Sequence, residues 1–159
     1  MMNNPVPGRI EIGVIADTHG LLRPEAVHFM TGCHTILHAG DVGKEAVLAR
    51  LSAIAPTFAV RGNVDRDPWA RKLPHREVVE IGNRSFYLIH NLEDLDLDPS
   101  GGFDAVIFGH SHIPKNYWKK GVIYFNPGGA GPRRFRLPTS VGRIVIRNGR
   151  LESCSITFL

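Results

Sequence analysis

Five apolar, strand-like runs in this chain each end at a side chain that can bind a metal ion. In chain order the runs are 10–16 before Asp17 and His19, 35–39 before Asp41, 57–60 before Asn63, 86–89 before His90, and 105–108 before His110 and His112. Ligands bind outside the carboxyl ends of the strands in a parallel sheet. The repeated pattern therefore predicts a sheet that collects Asp, Asn and His side chains at a single edge.

The number and spacing of these side chains indicate two metal ions rather than one. Seven candidate ligands are too many for a single ion. Residues i and i+2 of an extended segment point to the same side, so we expect Asp17 and His19 to converge, and likewise His110 and His112. Asp41 has two carboxylate oxygens and can bridge both ions. We therefore predict a hydrolase with a two-metal centre.

The order of the predicted elements is typical of an α/β fold. Strands over 9–16, 34–38 and 57–60 alternate with a helix that begins at Pro24, a residue suited to a first helical turn, and a helix over about 44–53. A hairpin-rich half follows, with a turn at Asn83-Arg84. Its predicted strands are 77–81, 85–90, 105–108, 116–119, 122–126, 141–147 and 151–158.

This pattern predicts two packed sheets with helices outside. We assign residues 9–159 to a single domain and residues 1–8, which are polar and rich in Pro and Gly, to an N-terminal lead-in. The 43% hydrophobic and 21% charged composition favours a packed core over disorder.

Composition also limits the location and partners of the protein. The apolar runs are strand-sized and the N-terminus has no signal-peptide pattern, so we predict a cytoplasmic protein without a membrane span. Cys33 and Cys154 lack CxxC spacing and are expected to be reduced thiols. The net charge of +4 permits an anionic substrate but does not identify one. Nucleic acid as a partner has no supporting basic face, and a homo-oligomer is left open.

The ordered motifs resemble those of the calcineurin-like metallophosphoesterase superfamily. The matching segments are Asp17-x-His19, Gly40-Asp41, Gly62-Asn63, His90 and Gly109-His110-x-His112. Gly62-Asn63-x-Asp65 and Asn126-Pro127-Gly128 further resemble the compact bacterial and archaeal phosphodiesterases of that superfamily. The same branch includes a non-catalytic relative, the metallophosphoesterase-like subunit of the retromer coat.

The resemblance implies a four-layer α/β/β/α sandwich of two mixed sheets flanked by helices. It also implies that two groups of residues each hold one ion and share Asp41. The first group is Asp17, His19, Asp41 and His112, and the second is Asp41, Asn63, His90 and His110. The chain departs from the family at Val64, where many relatives have a His, at Asn91, where Gly is usual, and at Gly129, where Ser is usual.

The implied reaction is hydrolysis of a small phosphodiester by a metal-bridging hydroxide, with Asp41, Asn63 and His110 as the catalytic residues. Carboxylate, amide and imidazole donors favour manganese, with iron, nickel, cobalt or zinc as alternatives. Two other functions share the fold or the site. One is a non-catalytic scaffold for protein interaction, and the other is a nuclease.

Three further residues are candidates for supporting roles. Asp65 is a candidate to orient a metal-bound imidazole, since such rings usually donate to a carboxylate or carbonyl. Arg61 and Arg66 flank the Gly62-Asn63 turn and are candidates for contact with the substrate. His38, three residues before Asp41, is expected to be a buried histidine at the end of a strand rather than a ligand.

Overall fold

A computed structural model describes residues 8–159, which contain two five-stranded mixed sheets packed face to face. The predicted lead-in therefore lies, except for Gly8, outside the described residues. The strands in chain order are β1 (Arg9–Ile15), β2 (Thr35–His38), β3 (Thr57–Ala59), β4 (Arg76–Ile81), β5 (Arg84–Ile89), β6 (Ala105–Ile107), β7 (Lys115–Lys119), β8 (Val122–Asn126), β9 (Ser140–Arg147) and β10 (Arg150–Phe158). The first sheet has the order β10-β9-β1-β2-β3, and the second has the order β4-β5-β6-β8-β7.

The parallel part of each sheet positions the candidate ligands. Strands β1, β2 and β3 pair in parallel in the first sheet, as do β5, β6 and β8 in the second. The remaining pairs in both sheets are antiparallel. The loops that follow β1, β2, β3, β5 and β6 carry all seven candidate ligands, as expected for side chains at the carboxyl ends of parallel strands.

Two α-helices cover the outer face of the first sheet. Helix α1 (Pro24–Met30) begins with its predicted proline, and α2 (Glu45–Ile54) buries Val47 and Leu51. Their apolar residues pack with Ile15 and Ile36 of β1 and β2. Burial of this stripe holds both short helices on the sheet, because isolated helices of this length are marginal in water.

A different layer covers the outer face of the second sheet. Tyr87, Val106 and Tyr124 form a cluster there, against which Leu92 and Phe103 pack. The covering segment contains only a 3-10 turn, Leu92–Asp94, in place of an α-helix. The main core lies between the sheets and includes Ile12, Leu37, Phe86, Ile107, Phe125 and Ile144. The predicted α/β sandwich of two mixed sheets is confirmed.

Two local predictions differ from the structure. The hairpin turn between β4 and β5 is Gly82-Asn83 rather than Asn83-Arg84, because both residues adopt the positive φ angles, 55° and 67°, that a tight two-residue turn requires. The stretch around Trp69, between predicted strands 57–60 and 77–81, was assigned no element and forms a 3-10 helix over Pro68–Lys72. Neither difference moves a candidate ligand.

No helix within residues 8–159 has both the length and the apolar character needed to cross a membrane.

Candidate metal centre

Six of the seven candidate ligands form two compact clusters at the carboxyl ends of the strands. Asp17, His19 and His112 form the first cluster. Asp41, His90 and His110 form the second. Within each cluster the donor atoms all lie within 4.8 Å of one another. The fold therefore brings together residues up to 95 positions apart along the chain, from Asp17 to His112.

One oxygen of Asp41 faces both clusters. Asp41 Oδ2 lies 3.6 Å from His19 Nε2 and 3.3 Å from His90 Nε2. Its other oxygen, Oδ1, accepts a hydrogen bond of 3.1 Å from the backbone N–H of Val64. One oxygen is thus held by the backbone, while the second is directed between imidazoles of the two clusters. This is the arrangement expected of a carboxylate that bridges two cations.

Asn63 completes the second cluster. Its Oδ1 lies 3.0 Å from His90 Nε2 and 3.2 Å from His110 Nδ1. The other nitrogen of His90 donates to the carbonyl oxygen of Ala39 at 2.8 Å, which directs Nε2 toward the cluster. With Nδ1 protonated, Nε2 of the neutral ring is an acceptor that faces the oxygens of Asn63 and Asp41. Such converging acceptors require a proton or a cation between them.

The pKa of His90 agrees with this requirement. Burial alone would lower the pKa of the imidazole, but the hydrogen bond and charge of Asp41 and the charge of Asp17 raise it overall. Burial would also raise the pKa of Asp41, but the contact with His90 and the hydrogen bond from Val64 lower it. A proton bound at His90 Nε2 would occupy the position among the acceptors that a metal ion would take.

Asp17 is a fully buried carboxylate with an unpartnered oxygen. Its Oδ2 accepts a hydrogen bond of 3.1 Å from the backbone N–H of His110, whereas Oδ1 has no hydrogen-bond partner within residues 8–159 and lies 3.6 Å from His112 Nε2. Burial raises the pKa of Asp17 to about 7, an effect reinforced by Asp41 and opposed by His90. A buried carboxylate oxygen without a donor, beside imidazoles, is a position suited to a divalent cation. The donor set therefore fits the metals that the resemblance implies.

The first cluster also contains a close pair of imidazoles. His19 Nε2 lies 3.3 Å from His112 Nε2, and the two rings are stacked. Burial lowers the pKa of His112 to about 4, with further lowering by the charges of Arg134 and His19. His112 Nδ1 is buried and has no hydrogen-bond partner among the described residues, and Gly129 packs directly against it. The family that the motifs resemble usually has serine at position 129. Glycine has no hydroxyl, so Gly129 supplies no hydrogen-bond partner to His112 Nδ1.

Most of the candidate ligands have a left-handed backbone. The φ angles of five of them are positive: 54° at Asp17, 45° at His19, 55° at Asp41, 75° at His110 and 62° at His112. The prediction that Asp17 and His19 converge because the segment is extended is therefore wrong in its geometry, although the two side chains do share a cluster. Likewise His110 and His112 point into different clusters. The chain turns sharply at each of these residues, and such backbone angles concentrate at functional sites.

Gly62 permits the two ligand loops of the first sheet to touch. A Cβ atom at this position would overlap both Oδ1 and the backbone nitrogen of Asp41. The backbone before Asn63 thus passes directly against the candidate bridging carboxylate, and only glycine has room there.

Asp65 has a different partner from the one predicted. It is 2% exposed, and its carboxylate accepts hydrogen bonds from three backbone N–H groups rather than from an imidazole. Oδ2 accepts from Val42 and Gly62, and Oδ1 accepts from Gly43, at 2.9 to 3.1 Å. Asp65 therefore fastens the loop that carries Asp41 to the loop that carries Asn63.

Sequence reasoning missed a second buried connection, between Thr18 and His38. His38 Nδ1 accepts from the backbone N–H of Gly40 at 3.1 Å, so the neutral ring donates through Nε2 to Thr18 Oγ1 at 3.0 Å. The Thr18 hydroxyl donates in turn to the carbonyl oxygen of Val42. Burial lowers the pKa of His38 to about 3. Both ring nitrogens are used, which agrees with the prediction that His38 is not a ligand.

Two clefts adjoin the second cluster. The first, with a volume of about 400 Å³, is lined by Arg61, Asn63, His75 and His90 among others. The second, of about 520 Å³, is lined by Phe108, Ser111, Lys115 and Tyr117 among others. They share Asn91 and His110 and therefore meet beside an exposed candidate ligand.

The two candidate arginines occupy different environments. Arg61 lines the first cleft, and its Nε is buried with no hydrogen-bond partner in the part of the chain that the structure describes. Arg66 is exposed, and its Nε donates to the carbonyl oxygen of Asn63 at 3.2 Å. Of the pair, Arg61 is thus the residue that borders open space next to the cluster.

Relatives and structures with the same architecture are known. A "probable metallophosphoesterase" of Methanocaldococcus jannaschii is 33% identical over 135 residues, which cover 76% of this chain and 68% of the relative. The structure of an archaeal phosphodiesterase has a TM-score of 0.79 at 22% identity, covering 94% of this chain and 100% of the other. Vacuolar protein sorting 29 of Cryptosporidium parvum has a TM-score of 0.74 at 19% identity, covering 95% and 98%. These last two likenesses concern the fold.

The domain description "Calcineurin-like phosphoesterase superfamily domain" matches residues 10–149, a range that contains every candidate ligand. The fold, the family match and the archaeal relative agree with one another. The chain therefore belongs to the calcineurin-like phosphoesterase superfamily.

Proposed function

We propose that this protein is a metal-dependent phosphodiesterase with a dinuclear centre. The observation that carries the proposal is the position of Asp41 Oδ2, 3.6 Å from an imidazole of one cluster and 3.3 Å from an imidazole of the other. Asp17, His19, Asp41 and His112 would hold one ion. Asp41, Asn63, His90 and His110 would hold the other.

The residues of the chain supply the ligands and orient them. The backbone N–H of Val64 fixes one oxygen of Asp41, and the carbonyl of Ala39 fixes the ring of His90. When bound, a pair of divalent ions would lower the pKa of a water molecule and neutralise charge on phosphoryl oxygens. Carboxylate, amide and imidazole donors without thiolate support manganese as the metal, ahead of iron, nickel, cobalt or zinc.

The two clefts favour a diester over a monoester. A phosphodiester has two organic substituents, and two separate clefts meet at His110 beside the centre. Arg61 lines one of them beside Asn63 and His90, which supports a role for its guanidinium as a donor to a phosphoryl oxygen. Val64 follows Asn63 and has no proton to give to a leaving group. An archaeal phosphodiesterase with this fold supports the same assignment.

Kinetics with manganese test the proposal directly. We expect the protein to hydrolyse bis(p-nitrophenyl) phosphate with a higher kcat/KM than p-nitrophenyl phosphate, and to hold two manganese ions per chain by elemental analysis. Asp41→Asn should abolish turnover and lower the metal content, because it weakens the ligand shared by both ions. Asp67→Asn, which changes an exposed carboxylate whose side chain makes no capping hydrogen bond, is the matched control. Equal rates for wild type and Asp41→Asn would contradict the proposal.

The same assay distinguishes the expected roles of Arg61 and Arg66. Arg61→Ala should lower kcat/KM by about tenfold, the effect of one charge-assisted hydrogen bond to the substrate, without changing the metal content. Arg66→Ala should change kcat/KM less, since Arg66 is exposed and bonded to its own loop. Unchanged kinetics in Arg61→Ala would remove arginine assistance from the mechanism.

The alternatives are a non-catalytic scaffold and a nuclease. The similarity of fold to vacuolar protein sorting 29 is the reason to consider a non-catalytic scaffold. The set of candidate ligands argues against it, since a scaffold has no need for seven convergent metal-binding side chains. A screen of the manganese-loaded protein against cyclic nucleotides, dinucleotides, single-stranded RNA and glycerophosphodiesters distinguishes these functions. Turnover of none of them would favour the scaffold.

A further inference from the structure

The second cleft beside His110 differs in character from the first. We call it the Tyr117 cleft and define it by Leu92, Phe108, His110, Ser111, Lys115 and Tyr117. Leu92, Phe108 and Tyr117 give the Tyr117 cleft an apolar wall. The first cleft is instead lined by the basic residues Arg61, His75 and Arg76 among others. The two clefts therefore offer unlike surroundings to the two sides of a molecule bound at the centre.

The ring of Tyr117 is held in a fixed orientation. Tyr117 lies on β7, directly opposite Tyr124 of β8, and the two rings stack with centroids 5.2 Å apart and planes 6° apart. Tyr124 is buried, whereas Tyr117 remains 39% exposed. An aromatic ring that is already ordered offers a flat apolar surface at little further entropic cost on binding.

A free positive charge lies on the same side of the strand. Lys115 and Tyr117 are two residues apart on β7, so their side chains leave the sheet on one face. Lys115 is exposed and forms no ion pair within residues 8–159. Trp118 follows Tyr117 on β7, so its side chain leaves the sheet on the opposite face. It is 65% exposed and lines neither of the two clefts. The cleft, which Glu93 also lines, thus combines an ordered ring with a lysine that has no ion-pair partner among the described residues.

We propose that the Tyr117 cleft is a subsite for a planar organic substituent, a nucleobase or aryl group, of a phosphodiester whose phosphate is bound at the metal centre. The inference rests on the proposed function for the position of the phosphate. Stacking on Tyr117 binds the planar group, and Lys115 lies close to the anionic part of the substrate. Stacking of this kind tolerates different bases, because every base has a flat face.

Binding of two phosphate monoesters tests the subsite. Thymidine 5′-monophosphate and glycerol 3-phosphate carry the same phosphate group, but only the first has a planar ring. By calorimetric titration of the manganese-loaded protein, we expect the thymidine compound to bind about tenfold more tightly, a difference within the range of stacking on an aromatic side chain. Tyr117→Phe should retain this preference, and Tyr117→Leu should remove it. Trp118→Leu, a change at the adjacent position, is the control that keeps it.

The outcomes separate the subsite from the catalytic proposal. Equal affinities for the two compounds in the wild type, or a preference that survives in Tyr117→Leu, would overturn the subsite whatever the rate of hydrolysis. A preference that depends on Tyr117 in a protein unable to hydrolyse bis(p-nitrophenyl) phosphate would support the subsite and overturn the phosphodiesterase. A preference together with turnover supports both.

Discussion

Asp65 is the residue on which the geometry of two ligand loops depends, although it is not a candidate ligand. Its buried carboxylate accepts three backbone N–H bonds from the loops of Asp41 and Asn63. Asparagine has a single acceptor oxygen and a donor amide, so Asp65→Asn leaves at least one buried N–H group without a partner. Such a loss costs about 1–3 kcal/mol.

We therefore expect Asp65→Asn to lower the free energy of unfolding of the metal-free protein by about 2 kcal/mol and kcat/KM by roughly 10–100-fold. Urea denaturation and steady-state kinetics measure the two effects. The exposed Asp67→Asn variant should match the wild type in both. Full stability in Asp65→Asn would show that the three hydrogen bonds do not hold the loops.

The raised pKa of Asp17 leads us to expect that metal binding releases a proton. Burial raises the pKa of its carboxyl to about 7 in the metal-free protein, whereas a ligand must be deprotonated. About nine-tenths of the molecules carry this proton at pH 6 and about one-tenth at pH 8, as follows for a group with a pKa near 7. The affinity for manganese should thus fall about tenfold per pH unit below pH 7 and level off above it.

Calorimetry in buffers of different ionisation enthalpy measures the proton release, which should decrease clearly from pH 6 to pH 8. The raised pKa also means that the folded, metal-free protein binds this proton more tightly than the unfolded chain does. The resulting contribution of Asp17 to stability is complete below about pH 4 and is lost as the pH rises through about 7. Identical release at both pH values would contradict the assignment.

The convergence of the candidate ligands was predictable from sequence, but their supporting contacts were not. Each of the seven follows an apolar run in a way that is visible along the chain. The contact of His38 with Thr18 joins the end of β2 to the loop after β1, and that of Asp65 with Gly43 joins two loops. These partners are separated by about twenty residues, and only the pairing of β1, β2 and β3 brings them together.

At the scale of elements, strands and helices could be located to within one or two residues. Apolar runs and turn residues mark the ends of β1 and β8 and the start of α1 closely. The turn at Gly82-Asn83 and the 3-10 helix over Pro68–Lys72 were missed, because both depend on backbone angles that hydrophobic periodicity does not report. The left-handed turns after β1, β2 and β6 were missed for the same reason.

The close approach of the loops after β2 and β3 makes Gly62→Ala informative. The added Cβ would overlap Asp41, so Asp41 or its loop must move. Overpacking of this kind costs about 1–3 kcal/mol, and we expect a lower midpoint of thermal unfolding together with reduced metal content. Gly102→Ala is the matched control, since a Cβ there meets no atom within 4 Å. Normal metal binding by Gly62→Ala would show that the loop adjusts without displacing Asp41.

At the scale of the whole molecule, the candidate metal centre connects the two sheets. Asp17, Asp41 and Asn63 follow strands of the first sheet, and His90 and His110 follow strands of the second. The architecture was predictable because the ordered motifs resemble a known family. The two clefts were not, since they are formed by side chains from segments distant in sequence.

Manganese should therefore stabilise the molecule as a unit. A free concentration of one hundred times the dissociation constant contributes about 2.7 kcal/mol per site, which corresponds to a rise in Tm of roughly 5–11 °C for a chain of this size. Differential scanning calorimetry with and without manganese measures the shift, and a chelator should reverse it. Asp41→Asn should lose most of the rise. A rise of equal size in that variant would place the bound ions elsewhere.

The left-handed backbone at Asp17, His19, Asp41, His110 and His112 restricts how this centre can change during evolution. Aspartate, asparagine and histidine adopt such angles more readily than other non-glycine residues. Glutamate and cysteine also bind metals, but they are poorly suited to these turns. The shape of the main chain thus limits the ligands available to mutation, and it keeps the centre with oxygen and imidazole donors and with the ions that prefer them.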